Sequence, residues 1–125
     1  IIMVASMAAY QSVPYLATYG ATKAFALSFG EALWAELKPH GVEVLSLCPG
    51  CVDTGFQAVA NSASMPKMGA ILTPQEVVQT ALKALGKKPS VVPGVRNKFL
   101  ALSPRLLPRH MATQATAGLF KPKKA

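Results

Sequence analysis

The hydrophobic pattern opens with an unbroken apolar run, Ile1, Ile2, Met3, Val4, Ala5. A run of this length, rich in branched residues, predicts a strand buried on both faces in a parallel sheet. A polar turn at Gln11 to Pro14 follows, and then a long helix is expected from about Tyr15 to Leu37. Its apolar positions (Leu16, Tyr19, Phe25, Leu27, Phe29, Leu33, Trp34, Leu37) spread over a face too broad for a lone surface helix, so part should pack on a sheet and part on a partner subunit. Pro39 and Gly41 stop the helix, and Val42 to Cys48 reads as a second, central strand. Strand, helix and strand of this character make a βαβ unit.

Pro49 and Gly50 end the second strand, and a loop of small residues runs to about Leu72. Thr73 then caps a helix from Pro74 to about Leu85, with Glu76 at the position a capping box requires and Gly86 closing it. Ser90 to Val92 is a short third strand. Beyond Gly94 an amphipathic, proline-interrupted segment carries Phe99, Leu100, Leu102, Leu106, Leu107, Met111, Leu119 and Phe120. The expected fold class is α/β, the carboxyl-terminal portion of a doubly wound parallel sheet of about three strands, with residues 1–120 in one domain and 121–125 a basic tail. A chain that begins inside a buried strand is expected to be a piece of something longer, and marginal or sticky alone.

The chain has 125 residues, 51% of them hydrophobic, enough for a core and against disorder. No charge precedes Lys23, but Gln11, Ser12, Pro14, Thr18 and three tyrosines make this stretch too polar and interrupted for a membrane span, and no basic residue leads it as a signal peptide requires. Thirteen basic residues face five acidic ones. Every acidic residue lies at or before Glu76, and every charge from Lys83 onward is basic, which favours an acidic substrate, cofactor or membrane surface nearby, or is simply a solvated face. Cys48 and Cys51 are spaced as a CxxC pair, but Val52, Asp53, Thr54 and Gly55 behind them do not open a helix. His40 and His110, at unhelpful spacings, do not complete a zinc site. No metal is expected.

Tyr19 and Lys23 are four apart on the long helix and therefore share a face. An ammonium close to a phenol favours its phenolate, which suits the phenol to general acid and base work. Ser6 ends the first strand, and the carboxyl ends of parallel strands are where ligand-contacting groups gather. From there its hydroxyl could hydrogen-bond the oxygen that Tyr19 protonates. The pair alone proves little, since lysine is common and three tyrosines give three chances. Taken with the serine, the flanking strands and the Pro-Gly turn, the pattern is specific.

Ser6, the run Tyr19, Gly20, Ala21, Thr22, Lys23, and the turn Pro49, Gly50, Cys51, Val52, Asp53, Thr54 together resemble the short-chain dehydrogenase/reductase family, over roughly residues 1 to 95. The step from Ser6 to Tyr19 is also the family's usual one. The resemblance implies a Rossmann-type NAD(P)-dependent oxidoreductase that reduces a carbonyl or oxidises an alcohol, with NADP slightly favoured over NAD. It assigns Tyr19 as general acid/base, Lys23 to the ribose hydroxyls and to support of Tyr19, and Ser6 to the carbonyl. It places Pro49, Gly50 and Val52 against the nicotinamide and Thr54 on the carboxamide or phosphates, making Tyr19, Lys23, Pro49, Gly50, Val52 and Thr54 the cofactor-binding set. The sequence departs from the family in lacking a glycine-rich turn for the pyrophosphate, the asparagine that completes the catalytic group, and the residue that selects NAD or NADP. The 125 residues by themselves are therefore expected to be inactive.

Phe56, Val59, Met65, Met68 and Ile71 lie where the family covers its substrate, which suggests a hydrophobic, lipid-like or acyl compound; plain packing explains them equally. A homo-oligomer in the cytoplasm is expected, without nucleic-acid binding, because the basic residues form no recognisable reading element. Two other readings stay open: peripheral docking of the basic amphipathic tail on anionic membrane or an acidic carrier, and a non-catalytic remnant.

Overall fold

A computed structural model describes residues 1–55 and 68–121. Strand β1 (Ile2–Val4) leads through a 3-10 turn (Met7–Tyr10) to helix α1 (Ala17–Leu37), and strand β2 (Leu45–Leu47) follows. Helix α2 (Pro74–Ala84), strand β3 (Ser90–Val91), helix α3 (Val95–Leu102), a second 3-10 turn (Ser103–Leu106) and helix α4 (Arg109–Phe120) complete the order.

The three strands form one parallel sheet in the order β1-β2-β3. Ile2, Met3 and Val4 of β1 stand opposite Leu45, Ser46 and Leu47, and Ser46 and Leu47 stand opposite Ser90 and Val91. The α/β class, the parallel pairing and the central place of β2 agree with the sequence reading. Alternation along β2 divides the core into two layers. Leu45 and Leu47 pack on Val77, Ala81 and Ala84 of α2, while Cys48 packs with Ala5 and Leu27 on the side of α1. Helices on both faces are what a parallel sheet requires.

On the α1 face the approach is close. A methyl group at Gly30 would collide with the Ser46 hydroxyl and lie 3.2 Å from Met3 Sδ, so glycine there lets the helix backbone settle on the sheet.

Three expectations are corrected. β1 is not buried on both faces: Ile1, Ile2 and Val4 are exposed, and burial begins at Ala5. α1 starts at Ala17 because Tyr15 takes a left-handed φ of 68°, and Leu16, at φ −133°, is not yet helical. β2 pairs only over Leu45–Leu47, although Val44 through Cys48 are all buried. Helix α2 matches closely: the Thr73 side chain accepts from the Glu76 N–H, and Glu76 reaches back to the Thr73 N–H at 2.8 Å. Gly86 turns the chain at φ 75°.

Candidate active site

The carboxyl ends of β1 and β2 lie side by side and deliver the residues of interest to one edge of the sheet. After Val4 the chain stays tied to the second strand, with Ala5 N–H donating to Leu47 O at 2.8 Å and Met7 N–H to Pro49 O at 3.0 Å. Ser6 sits between these two bonds. Its Oγ accepts from the Ala8 N–H at 3.2 Å, so it caps the 3-10 turn at the end of the strand. The loop after Ser6 and the Pro49–Gly50 turn are thereby held in register by backbone alone.

α1 brings Tyr19 and Lys23 to the same edge. Lys23 Nζ donates to Val4 O at 2.9 Å, spanning from helix to strand, and stands 5.8 Å from the centre of the Tyr19 ring. The Tyr19 side chain is 38% exposed and open to a ligand. Thr22 does not join them: its hydroxyl donates to Tyr19 O within the helix.

The other two tyrosines are differently placed. Tyr15 stands on the left-handed residue before α1 and is 57% exposed. Tyr10 is half-buried against Cys48; burial first, and then the neighbouring thiol, push its phenol up to about 12. Arg105 covers its ring at 5.5 Å. A phenol so hard to ionise is poorly matched to proton transfer near neutrality, which leaves Tyr19 as the tyrosine with an ammonium beside it.

The turn after β2 is built as follows. Val52 makes a parallel bridge with Leu72, Leu72 N–H donates to Cys51 O at 3.1 Å, and Asp53 N–H donates to Leu72 O at 2.9 Å. Gly50 packs so tightly that an added methyl would lie 2.8 Å from Met7 Sδ. Thr54 is exposed at the end of this stretch. Ser6, Tyr19, Lys23, Pro49, Gly50, Val52 and Thr54 thus come from the carboxyl ends of two neighbouring strands and the helix between them. Phe56, Val59 and Met65 lie outside the described residues, as do Lys123 and Lys124 of the basic tail; Met68 is half-buried and Ile71 exposed.

The CxxC pair carries two free thiols. Cys48 is fully buried, and burial pushes its thiol up to about 11, the opposite of what a reactive thiolate needs. Among the described residues no helix is long and apolar enough to cross a membrane. The carboxyl-terminal helices leave Val95, Phe99, Leu106, Leu107, Met111 and Leu119 exposed.

One residue escaped the sequence reading. Asn97, on α3, is completely buried beneath the Gly50 turn and makes two hydrogen bonds to Ala70. An asparagine in an amphipathic helix gives no signal of such a position; the nearest hint is the glycine just ahead of the helix, Gly94.

The short chain dehydrogenase family model matches residues 1–64, the stretch that holds Ser6, Tyr19, Lys23 and the turn. The chain belongs to the short-chain dehydrogenase family. Among its relatives, a 7beta-hydroxysteroid dehydrogenase of Collinsella aerofaciens is 38% identical over 102 residues, 78% of this chain and 38% of that protein. The estradiol 17-beta-dehydrogenase 11 of Macaca fascicularis is 33% identical over 112 residues, 86% of this chain and 36% of that protein. A short chain dehydrogenase from Burkholderia cenocepacia, solved in complex with NADP, superposes with a TM-score of 0.68 at 29% identity, covering 98% of this chain and 48% of that one. The chain therefore spans under half the length of the relatives it matches.

Proposed function

We propose that this chain carries the proton-transfer site of an NAD(P)-dependent oxidoreductase that interconverts a carbonyl and an alcohol on a hydrophobic substrate. The observation that carries the reading is the placement of Tyr19 and Lys23 on one face of α1 at the carboxyl end of β1, with Lys23 Nζ anchored 2.9 Å from Val4 O. The donor set fits a nicotinamide cofactor: an ammonium and a phenol share one face of α1, and a serine hydroxyl ends the adjacent strand, tied by backbone to the Pro49–Gly50 turn. When bound, the nicotinamide supplies or accepts the hydride.

Everything else falls to the protein. In reduction Tyr19 Oη gives its proton to the carbonyl oxygen, and in oxidation it takes that proton back. Ser6 Oγ hydrogen-bonds the same oxygen and polarises it. Lys23 would hold the ribose hydroxyls, its ammonium standing 5.8 Å from the centre of the Tyr19 ring. Pro49, Gly50, Val52 and Thr54 back the nicotinamide. NADP is slightly favoured over NAD, in line with the Burkholderia cenocepacia relative solved with NADP. Relatives named for steroids favour a hydrophobic alcohol or ketone of steroid-like bulk.

Removing the phenolic oxygen tests the reading. In the full-length protein Tyr19→Phe should lower kcat by ~10²-fold or more while NADPH binding, followed by its fluorescence, persists. Activity at the wild-type level in that variant would overturn the assignment.

A further inference from the structure

We infer that Asn97 is a positioning residue for the cofactor side of the site, acting through the Gly50 turn and the segment that pairs with it; the inference rests on the functional reading above. The Asn97 amide makes a two-bond clasp. The Ala70 N–H donates to Asn97 Oδ1 at 2.7 Å, and Asn97 Nδ2 donates to Ala70 O at 3.1 Å. A side chain has thus taken the place of a neighbouring strand, satisfying both backbone groups of one residue in a fully buried position.

Three glycines from three segments close on this one amide. A methyl at Gly50 would stand 3.1 Å from Asn97 Nδ2, one at Gly94 3.3 Å from it, and one at Gly69 would collide with Asn97 Oδ1. Gly69 and Gly94 also have φ of 83° and 84°, a backbone that glycine adopts without strain. The packing therefore fixes the amide from several sides and leaves it little freedom to move.

The clasp connects directly to the residues assigned to the cofactor. Ala70 lies two residues before Leu72, and Leu72 holds Cys51 and Asp53 by backbone hydrogen bonds on either side of the Val52 bridge. Gly50 rests on the other side of the same amide. The turn from Gly50 to Asp53 is thus held at both ends by contacts that lead to one buried side chain on α3, a helix with no assigned part in the chemistry. Loss of the amide leaves a part-buried donor and acceptor on Ala70 without their side-chain partner and opens space under Gly50. The turn then loses its fixed distance from the carboxyl end of β1, while Tyr19 and Lys23, carried by α1, keep theirs.

NADPH affinity of the full-length enzyme, measured by fluorescence titration alongside Tm, tests this. Asn97→Ala should weaken NADPH binding about tenfold, the scale of a part-buried donor and acceptor losing their partner. Ala84→Gly, which destabilises α2 at the end away from Leu72, should bind NADPH as the wild type does even where its loss of Tm is the same. Gly50→Ala should also weaken binding, because its methyl presses on Met7 Sδ at 2.8 Å and on the amide at 3.1 Å. Adding Asn97→Ala to it should cost less than the two separate losses combined, since the shortened side chain makes room. If Asn97→Ala does not fold, Asn97→Asp, which keeps the acceptor for the Ala70 N–H and loses the donor to Ala70 O, is measured in its place. Wild-type affinity in the folded Asn97 variant, or losses that simply add in the double variant, would overturn the positioning role. Wild-type enzyme that does not bind NADPH at all would overturn the functional reading, and this role with it.

Discussion

Fully buried Cys48 and half-buried Tyr10 share a niche in which both are easier to keep neutral than to ionise. Burial is the largest cause in each case, and it pushes the thiol up to about 11 and the phenol up to about 12. The fold therefore favours the protonated forms, and their contribution to stability is fully present below the ordinary thiol range and is lost as pH rises through about 11 and 12. Tm should accordingly stay level through mildly alkaline solution and fall beyond it, and Tyr10→Phe should make that fall shallower; an equal fall in the variant would show that Tyr10 takes no part. The same burial predicts thiol selectivity. Iodoacetamide near neutral pH should alkylate Cys51 and spare Cys48 until the protein is denatured, as peptide mass mapping would show. Earlier labelling of Cys48 would contradict its burial. At this scale the places of Tyr19, Lys23 and Ser6 in the fold were legible, because two lie one helical turn apart and the third follows the first strand. Tyr10, Cys48 and Asn97 were not, since their character comes from neighbours far along the chain: Tyr10 from Cys48 and Arg105, Asn97 from Ala70.

Helix α2 shows what local sequence can dictate. Thr73, Pro74 and Glu76 form a complete capping box, and backbone and hydroxyl hydrogen bonds from Thr73 hold the exposed Glu76 carboxyl below its usual range. All the participants lie within four residues, so the sequence alone located the helix start. Thr73→Ala should destabilise the protein by about 1 kcal/mol and lower Tm by a few degrees, whereas Thr73→Ser should retain most of the cap. Equal melting of Thr73→Ala and the wild type would mean that the cap adds nothing to stability. The glutamate's part, because its carboxyl titrates lower when folded, is present at neutral pH and lost as pH falls through the carboxylate range. Elements defined by distant partners were read less well. β2 was expected from Val42 and pairs only from Leu45, because strand length depends on which neighbours pair and not on apolar content alone. The start of α1 moved from Tyr15 to Ala17 because Tyr15 turns left-handed, a conformation that a tyrosine gives no reason to expect.

At the scale of the molecule, apolar surface and chemistry occupy different faces. Tyr19 and Lys23 look along the carboxyl edge of the sheet, while Phe25 and Phe29 on α1 stack at 5.5 Å and remain 68% and 45% exposed. Ile1, just before β1, and Val4, its last residue, are about as open, at 60% and 59%. Water-exposed aromatic and branched residues in this number favour burial against another surface, because each loses several tens of Å² of apolar area to water when covered. The 125-residue chain by itself should therefore self-associate as concentration rises, visible as a growing sedimentation coefficient, and Phe25→Ser with Phe29→Ser should shift it toward monomer. A chain that stays monomeric throughout would show that this face needs no cover. Catalysis should not follow from such association. The residues proposed for the site would meet only the nicotinamide end, and no glycine-rich turn among the 125 residues offers a helix terminus to a pyrophosphate. Without that anchor the cofactor has too few contacts to repay its lost freedom, so the isolated chain should reduce no carbonyl even where its Tyr19 and Lys23 are correctly placed. Measurable NADPH oxidation by the purified chain with a hydrophobic ketone would refute this, and would mean that the nicotinamide end alone suffices for binding.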